Sequence, residues 1–272
     1  MWTLQNARRI VVKIGTSTLT HDTGFLNLHR IETLVRTVAD LCNAGKEIVL
    51  VSSGAVSAGV AKMHTHRPTC TREKQAMAAV GQSELMKLYS NYFAEYGHTV
   101  AQILMTKDVV DNPTRRSAAE DTFATLIGMG CVPIVNENDS VSTTGITFDD
   151  NDTLSAYVAL VCHADLLINL SDVDGLYDSD PHKNPDARHI DTVHGIDEAI
   201  TRMAGGAGTA LEGGQVVHHI PGVQPGVVQK IPLPGVDDHG DGLESGAAEA
   251  QQVRRRIGND LSHKNASYGI GF

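Results

Sequence analysis

The chain has 272 residues, enough for one large α/β domain or two small ones with a sizeable core. Its 22 Lys+Arg stand against 32 Asp+Glu, a formal net charge of -10, which argues against a broad nucleic-acid-binding surface and for a small-molecule partner. The cysteines Cys42, Cys70, Cys131 and Cys162 form no CxxC pair and no zinc spacing, MWTLQNARR has no apolar signal region, and no apolar run approaches a bilayer span; a reduced, soluble, cytoplasmic protein is expected.

RIVVKI at 9–14 predicts a first strand, followed by a helix whose face carries Ile31, Leu34, Val35, Val38 and Leu41 and which stops at Gly45. EIVLVSS predicts a second strand, GAVSAGVAK a short helix after Ser53, and residues 72–95 a longer helix with an apolar face. TVAQILM, CVPIV and DLLINL supply three more strands, separated by helices over 117–127 and 153–161. This alternation predicts an α/β fold with a mostly parallel sheet, whose ligands bind beyond the carboxyl ends of the strands. From about Gly205 the pattern changes. The remainder holds more than half of the 26 glycines, repeats Pro-Gly-Val and shows no clear strand or helix period before about Ala247, so an irregular segment is expected.

Each strand ends in a polar loop. VVKIGTSTL sets Lys13 beside the small residues Gly15, Thr16 and Ser17, a turn whose N–H groups can approach phosphate oxygens. Neither GxxxxGK[ST] nor GxGxxG occurs, which leaves the P-loop and dinucleotide classes unsupported. VSSGAVSAG offers Ser53 and Gly54 to a ligand or to close helix packing, and it lacks the GxSxG of a hydrolase.

The richest loop is NENDSVSTTGITFDDND, residues 136–152. A calcium loop fails because Leu154 occupies the next alternate position after Asp150 and Asp152. Asp152 as cap of a helix starting at Thr153 explains one residue of the cluster. Asp139, Asp150 and Asn151 together suit a zwitterionic amino acid, whose ammonium the carboxylates meet while amides and helix N–H groups meet its carboxylate. After the fifth strand, Ser171 and Asp172 stand where a nucleotide phosphate or its magnesium can be met.

In order and spacing, VVKIGTSTL, VLVSSGAVSAG, KQAMAAVGQSELM, VPIVNENDSV, FDDNDTLSAYVA and LINLSDVDGLYDSDP resemble the amino acid kinase family, above all its glutamate-phosphorylating members, over about residues 8–206. The resemblance implies a three-layer α/β/α sandwich in which ATP, with Mg2+ held mainly by its phosphates and water, phosphorylates the γ-carboxylate of L-glutamate for proline synthesis. It implies Lys13 and Asp152 as catalytic residues, with Lys13 at the transferring phosphoryl group and Asp152 orienting it. Ser53, Gly54, Asp139, Asp150 and Asn151 are the expected glutamate site, and Lys13, Gly15, Ser171 and Asp172 the nucleotide site. No metal-ligating side chains are expected, nor nucleic-acid or membrane partners; a homo-oligomer is.

The family's glycine-rich loop GTGGMxTK has only an echo here. GGAGTALEGGQVVHHIPGVQ keeps Gly208-Thr209 and Gly213-Gly214 without the lysine, and Lys230 lies too far along to align. Residues 1–204 are thus expected to form the kinase domain and 205–272 an atypical tail, for which a shifted reading frame near Val217–Pro221 offers one explanation. The missing lysine also keeps open a catalytically impaired glutamate- or partner-binding protein of the same fold, or another member of the family.

Overall fold

The structure, a computed structural model, describes residues 6–142, 151–171, 176–179, 184–190, 193 and 228–232. Its central sheet begins with β1 (Arg9–Ile14), where Ile10, Val12 and Ile14 face one layer and Val11 and Lys13 the other. A short helix α1 (Thr16–Leu19) follows, then α2 (Leu28–Asn43), capped by Asn27, whose side chain accepts from Arg30 N–H. Next come β2 (Glu47–Ser52), α3 (Ala55–Met63), α4 (Thr71–Ala94) and β3 (Val100–Met105). The short α5 (Lys107–Asp111), α6 (Pro113–Gly128), β4 (Val132–Glu137), α7 (Asn151–Val161) and β5 (Leu166–Ser171) complete the main pattern. A small antiparallel pair, β6 (Leu176–Tyr177) and β7 (His189–Ile190), stands apart, and β8 (Val228–Pro232) joins the sheet.

The sheet order is β3-β4-β2-β1-β5-β8, and every pairing is parallel. One core packs α2 and α4 on the sheet through Ile31, Leu34, Val35, Val38, Leu85, Tyr89 and Phe93. The other packs α5, α6 and α7 on the opposite face through Val110, Phe123, Leu154, Val158 and Val161. The parallel sheet is the one expected from the alternating pattern, and the layering is the three-layer α/β/α sandwich that the family resemblance implied. Because the chain visits β2, β3 and β4 on one side of β1 and crosses to β5 on the other, β1 sits where the strand order reverses, and loops at its carboxyl end border a crevice.

Several boundaries differ from the sequence reading. Strand β4 continues through Asn136 and Glu137, which the polar pattern placed in the loop; both are buried and paired to β3 opposite Leu104 and Met105. Helix α6 starts four residues before the predicted 117, because Asn112 caps it through Thr114 and Arg115 N–H with Pro113 at its first position. Helix α7 begins at Asn151, so Asp152 lies inside its first turn and is not its cap. The Gly/Pro-rich segment, expected to lack a strand, contributes β8, which pairs with the edge of β5 and sets Lys230 in register opposite Asn169.

Candidate active site

The carboxyl ends of β1 and β2 are tied together by Ser53 N–H donating to Ile14 C=O at 3.2 Å. Gly54 then turns the chain into α3 at φ +93°, a left-handed conformation that favours glycine. Across the crevice, two consecutive residues at the start of α7 reach in different directions.

Asp152 reaches β1. Its Oδ1 lies 2.5 Å from Lys13 Nζ, with side chains 17% and 12% exposed, so the pair is largely removed from water. Among the described residues Oδ1 is buried with no well-aligned hydrogen bond, and the ammonium is what balances its charge. A carboxylate in the first turn of a helix is also favoured by the unpaired N–H groups there. Lys13 Nζ comes 3.8 Å from the point where a Cβ on Gly15 would stand, and Leu170 C=O lies 3.9 Å from that point. The glycine leaves the ground around the ammonium open.

Asn151 reaches β2 and β4. Its Nδ2 donates to Ser53 Oγ at 2.7 Å, to Ser52 C=O at 3.0 Å and to Asn136 Oδ1 at 3.2 Å. The amide N–H groups are therefore spent on the protein, and among the described residues Oδ1 has no partner. Ser52 Oγ, fully buried, shares a hydrogen bond of 3.0 Å with Tyr89 on α4, and burial pushes the Tyr89 hydroxyl up to about 12. Asp139 follows β4 by two residues; burial raises its carboxyl above the ordinary range, and it makes no hydrogen bond or ion pair among the described residues. Close to it, Glu137 accepts from Ser142 Oγ at 2.8 Å, and Gln75 Nε2 donates to Ser142 C=O at 2.8 Å, which holds the start of the loop against α4.

Of the residues singled out from sequence, Lys13 and Asp152 are in contact, and Asn151 meets Ser53 next to Gly54. Ser171 ends β5 in register with Pro232 of β8, and its backbone alone is described. Asp150, Asp172 and the glycine-rich loop at 205–215 lie outside the described residues. Asn136 and Gln82 were not singled out as site residues; the quoted motifs contained both, but a helical glutamine and an asparagine read as loop carried no distinguishing signal. Among the described residues no group of three or more His, Cys, Asp or Glu could hold a metal ion, and no helix is long and apolar enough to cross a membrane.

The family model for the amino acid kinase family matches residues 8–221. This chain belongs to the amino acid kinase family. The match runs past residue 206, where the resemblance read from the sequence ended, and takes in the altered glycine-rich segment. Relatives within the family include a glutamate 5-kinase of Clostridium perfringens, 51% identical over 76% of this chain and 78% of that one. The glutamate 5-kinase of Clostridium acetobutylicum is 51% identical over the same shares, 76% and 78%. That of Symbiobacterium thermophilum is 45% identical over 85% of this chain and 88% of its own. Among solved structures, a UMP kinase from Ureaplasma parvum aligns with a TM-score of 0.46 at 18% identity, covering 69% of this chain and 75% of that one. In this amino acid kinase, then, the lysine–aspartate pair and the amide cluster stand side by side at the start of one helix.

Proposed function

We propose that this amino acid kinase transfers the γ-phosphoryl group of ATP to the γ-carboxylate of L-glutamate, yielding γ-glutamyl phosphate and ADP, the first step of proline biosynthesis. The observation that carries this reading is the adjacency at the start of α7: a cation held by Asp152 next to an amide acceptor held by Asn151. The similarity to glutamate 5-kinases over more than three quarters of the chain supports the choice of acceptor.

The chemistry asks little of general bases. A γ-carboxylate is ionised at neutral pH, so its oxygen attacks phosphorus directly, a new P–O bond forms, the bond to the β-phosphate bridging oxygen breaks, and no proton must move. What remains is positioning two anions and neutralising the charge that develops between them. Lys13 supplies that neutralisation, and Asp152 holds its ammonium in place. Asn151 Oδ1 and the Asp139 carboxylate take the α-ammonium of glutamate, with Asp150 nearby in sequence, while Ser53 and Gly54 face its carboxylates. Lys13, Gly15, Ser171 and Asp172 are assigned to the nucleotide side, and Mg2+ would come with the nucleotide and supply charge neutralisation there. The acidic net charge of -10 weighs against a nucleic-acid partner, and the four free cysteines support assignment to the cytoplasm. By likeness to its family the enzyme is assigned as a homo-oligomer, which size-exclusion chromatography reporting a monomer would remove.

Release of ADP in a coupled assay tests the central reading. Turnover with L-glutamate at least tenfold above that with L-aspartate, N-acetyl-L-glutamate or no acceptor is the expected result. ADP release indifferent to glutamate would sink it.

A further inference from the structure

Helix α4 carries Val80-Gly81-Gln82, part of a motif to which none of the chemistry above assigns a task. Two contacts leave this helix at consecutive residues, and each ends at one side of the acceptor site. At Gly81 the α4 backbone presses on α3: a Cβ there would stand 1.7 Å from Ala55 C=O oxygen and 2.4 Å from Gly59 N. Helix α3 begins directly after Ser53-Gly54, so this contact sets where the β2 end of the site lies.

At Gln82 the side chain turns to the sheet. Gln82 Oε1 accepts from Asn136 Nδ2 at 2.9 Å, and Gln82 Nε2 donates to Gln102 Oε1 at 3.2 Å. The amide orientations follow from groups that cannot change roles. The N–H of Glu137 only donates, so Asn136 must turn Oδ1 to it, at 2.9 Å, and Nδ2 to Gln82. The same Asn136 Oδ1 receives Asn151 Nδ2. The chain of amides runs Gln102, Gln82, Asn136, Asn151, from the exposed side of β3 to the crevice.

We propose that Gln82 is a positioning residue for the acceptor site: by accepting from Asn136 it holds the amide against which Asn151 is oriented, so that Asn151 Oδ1 points at the acceptor's ammonium. Asn136 is 3% exposed, and without an acceptor its Nδ2 would be a buried donor with no partner. Its cheapest relief is rotation, which withdraws Oδ1 from both Asn151 and the Glu137 N–H. This inference rests on glutamate as the acceptor.

The test is calorimetric titration of the full chain with L-glutamate, with KM values for glutamate and ATP alongside. Gln82→Met keeps length and removes the acceptor; it should weaken glutamate binding by about tenfold or more, leaving the KM for ATP within twofold. Gln82→Glu keeps an oxygen toward Asn136, while the exposed Gln102 can turn its own NH2 inward, so affinity should stay within about threefold of wild type. Glutamate binding by Gln82→Met within threefold of wild type overturns the proposal. If that variant does not fold, a tenfold loss in Gln82→Glu overturns it equally. Absence of glutamate binding by the wild-type chain would instead fail the acceptor assignment, and the positioning role with it.

Discussion

Replacing Gly81 by alanine sets two effects against each other. An alanine inside a helix is favoured over glycine by about 1 kcal/mol. At Gly81, however, the new Cβ would fall 1.7 Å from the Ala55 carbonyl oxygen, 2.4 Å from Gly59 N and 2.8 Å from the Ala55 carbonyl carbon. Even a close carbon–oxygen contact is about 3.3 Å, so α3 and α4 must part by roughly 1.6 Å. The obstacle is backbone, and the fit is reciprocal, since a Cβ on Gly59 would stand 1.9 Å from Met77 C=O oxygen. Neither side has a flexible side chain to move. Overpacking of this kind costs about 1 to 3 kcal/mol, and the upper end applies here, leaving a net loss of about 2 kcal/mol after the propensity gain. Urea denaturation should show a midpoint lowered by about 1 M at unchanged slope. Glutamate affinity should fall with it, because α3 carries Ser53-Gly54 at its start. Gly128→Ala is the control: it ends α6, nothing lies within 4 Å of its Cβ position, and it should be neutral or slightly stabilising. Equal stability of Gly81→Ala and Gly128→Ala would refute the close helix contact and the reasoning built on it.

Lys13→Ala should lower kcat by about a hundredfold or more while glutamate affinity in a binding titration stays within about threefold, because its charge acts where the phosphoryl group moves; parallel losses would put Lys13 in the acceptor site. Asn151→Ala should weaken glutamate binding by about 1 to 3 kcal/mol, read by the same titration, and unchanged affinity would remove Asn151 from the site. The carboxyl of Asp139 titrates above its ordinary 3.8 because burial penalises its charged form. The folded state thus holds this proton more tightly than the unfolded chain, and the cost of the buried charge appears as pH rises from the ordinary aspartate value through the raised one. Asp139→Asn should therefore raise the melting temperature of the ligand-free protein at neutral pH and flatten a glutamate affinity that tightens with rising pH in the wild type; an equally steep profile in the variant would exclude Asp139 as the titrating group. Burial pushes the thiols of Cys42 and Cys162 up to about 11 and about 12, so both should resist a thiol reagent at neutral pH until the protein is unfolded, as followed by absorbance.

The layered fold was legible because β-branched runs such as Arg9–Ile14 and Glu47–Ser52 alternate with helical stripes, and both signals are local. Lys13, Ser53, Asn151 and Asp152 were legible as candidate site residues because each stands where a strand ends or a helix starts. Asn136 and Glu137 were misplaced for a physical reason: polar side chains ordinarily mark loops, and here buried partners satisfy them inside a strand. Those partners, Gln82 and Ser142, come from distant or following segments that no periodicity joins to β4. Strand β8 escaped for a similar reason, since VQKIP becomes a strand only by pairing with the edge of β5.

Asn151 and Asp152 are neighbours in one helical turn, yet one addresses β2 and β4 and the other addresses β1. A single peptide unit therefore works as a ruler between the amide cluster and the cation. Its length cannot be edited by mutation, because helical geometry sets the separation of consecutive residues. Only side-chain length can change the reach of either anchor, as Asn151→Gln or Asp152→Glu would, while the backbone spacing between the two stays fixed. Selection for a different acceptor would therefore work on the length of these two side chains or on the residues that follow β4, Asp139 among them, while the ruler itself stays as it is.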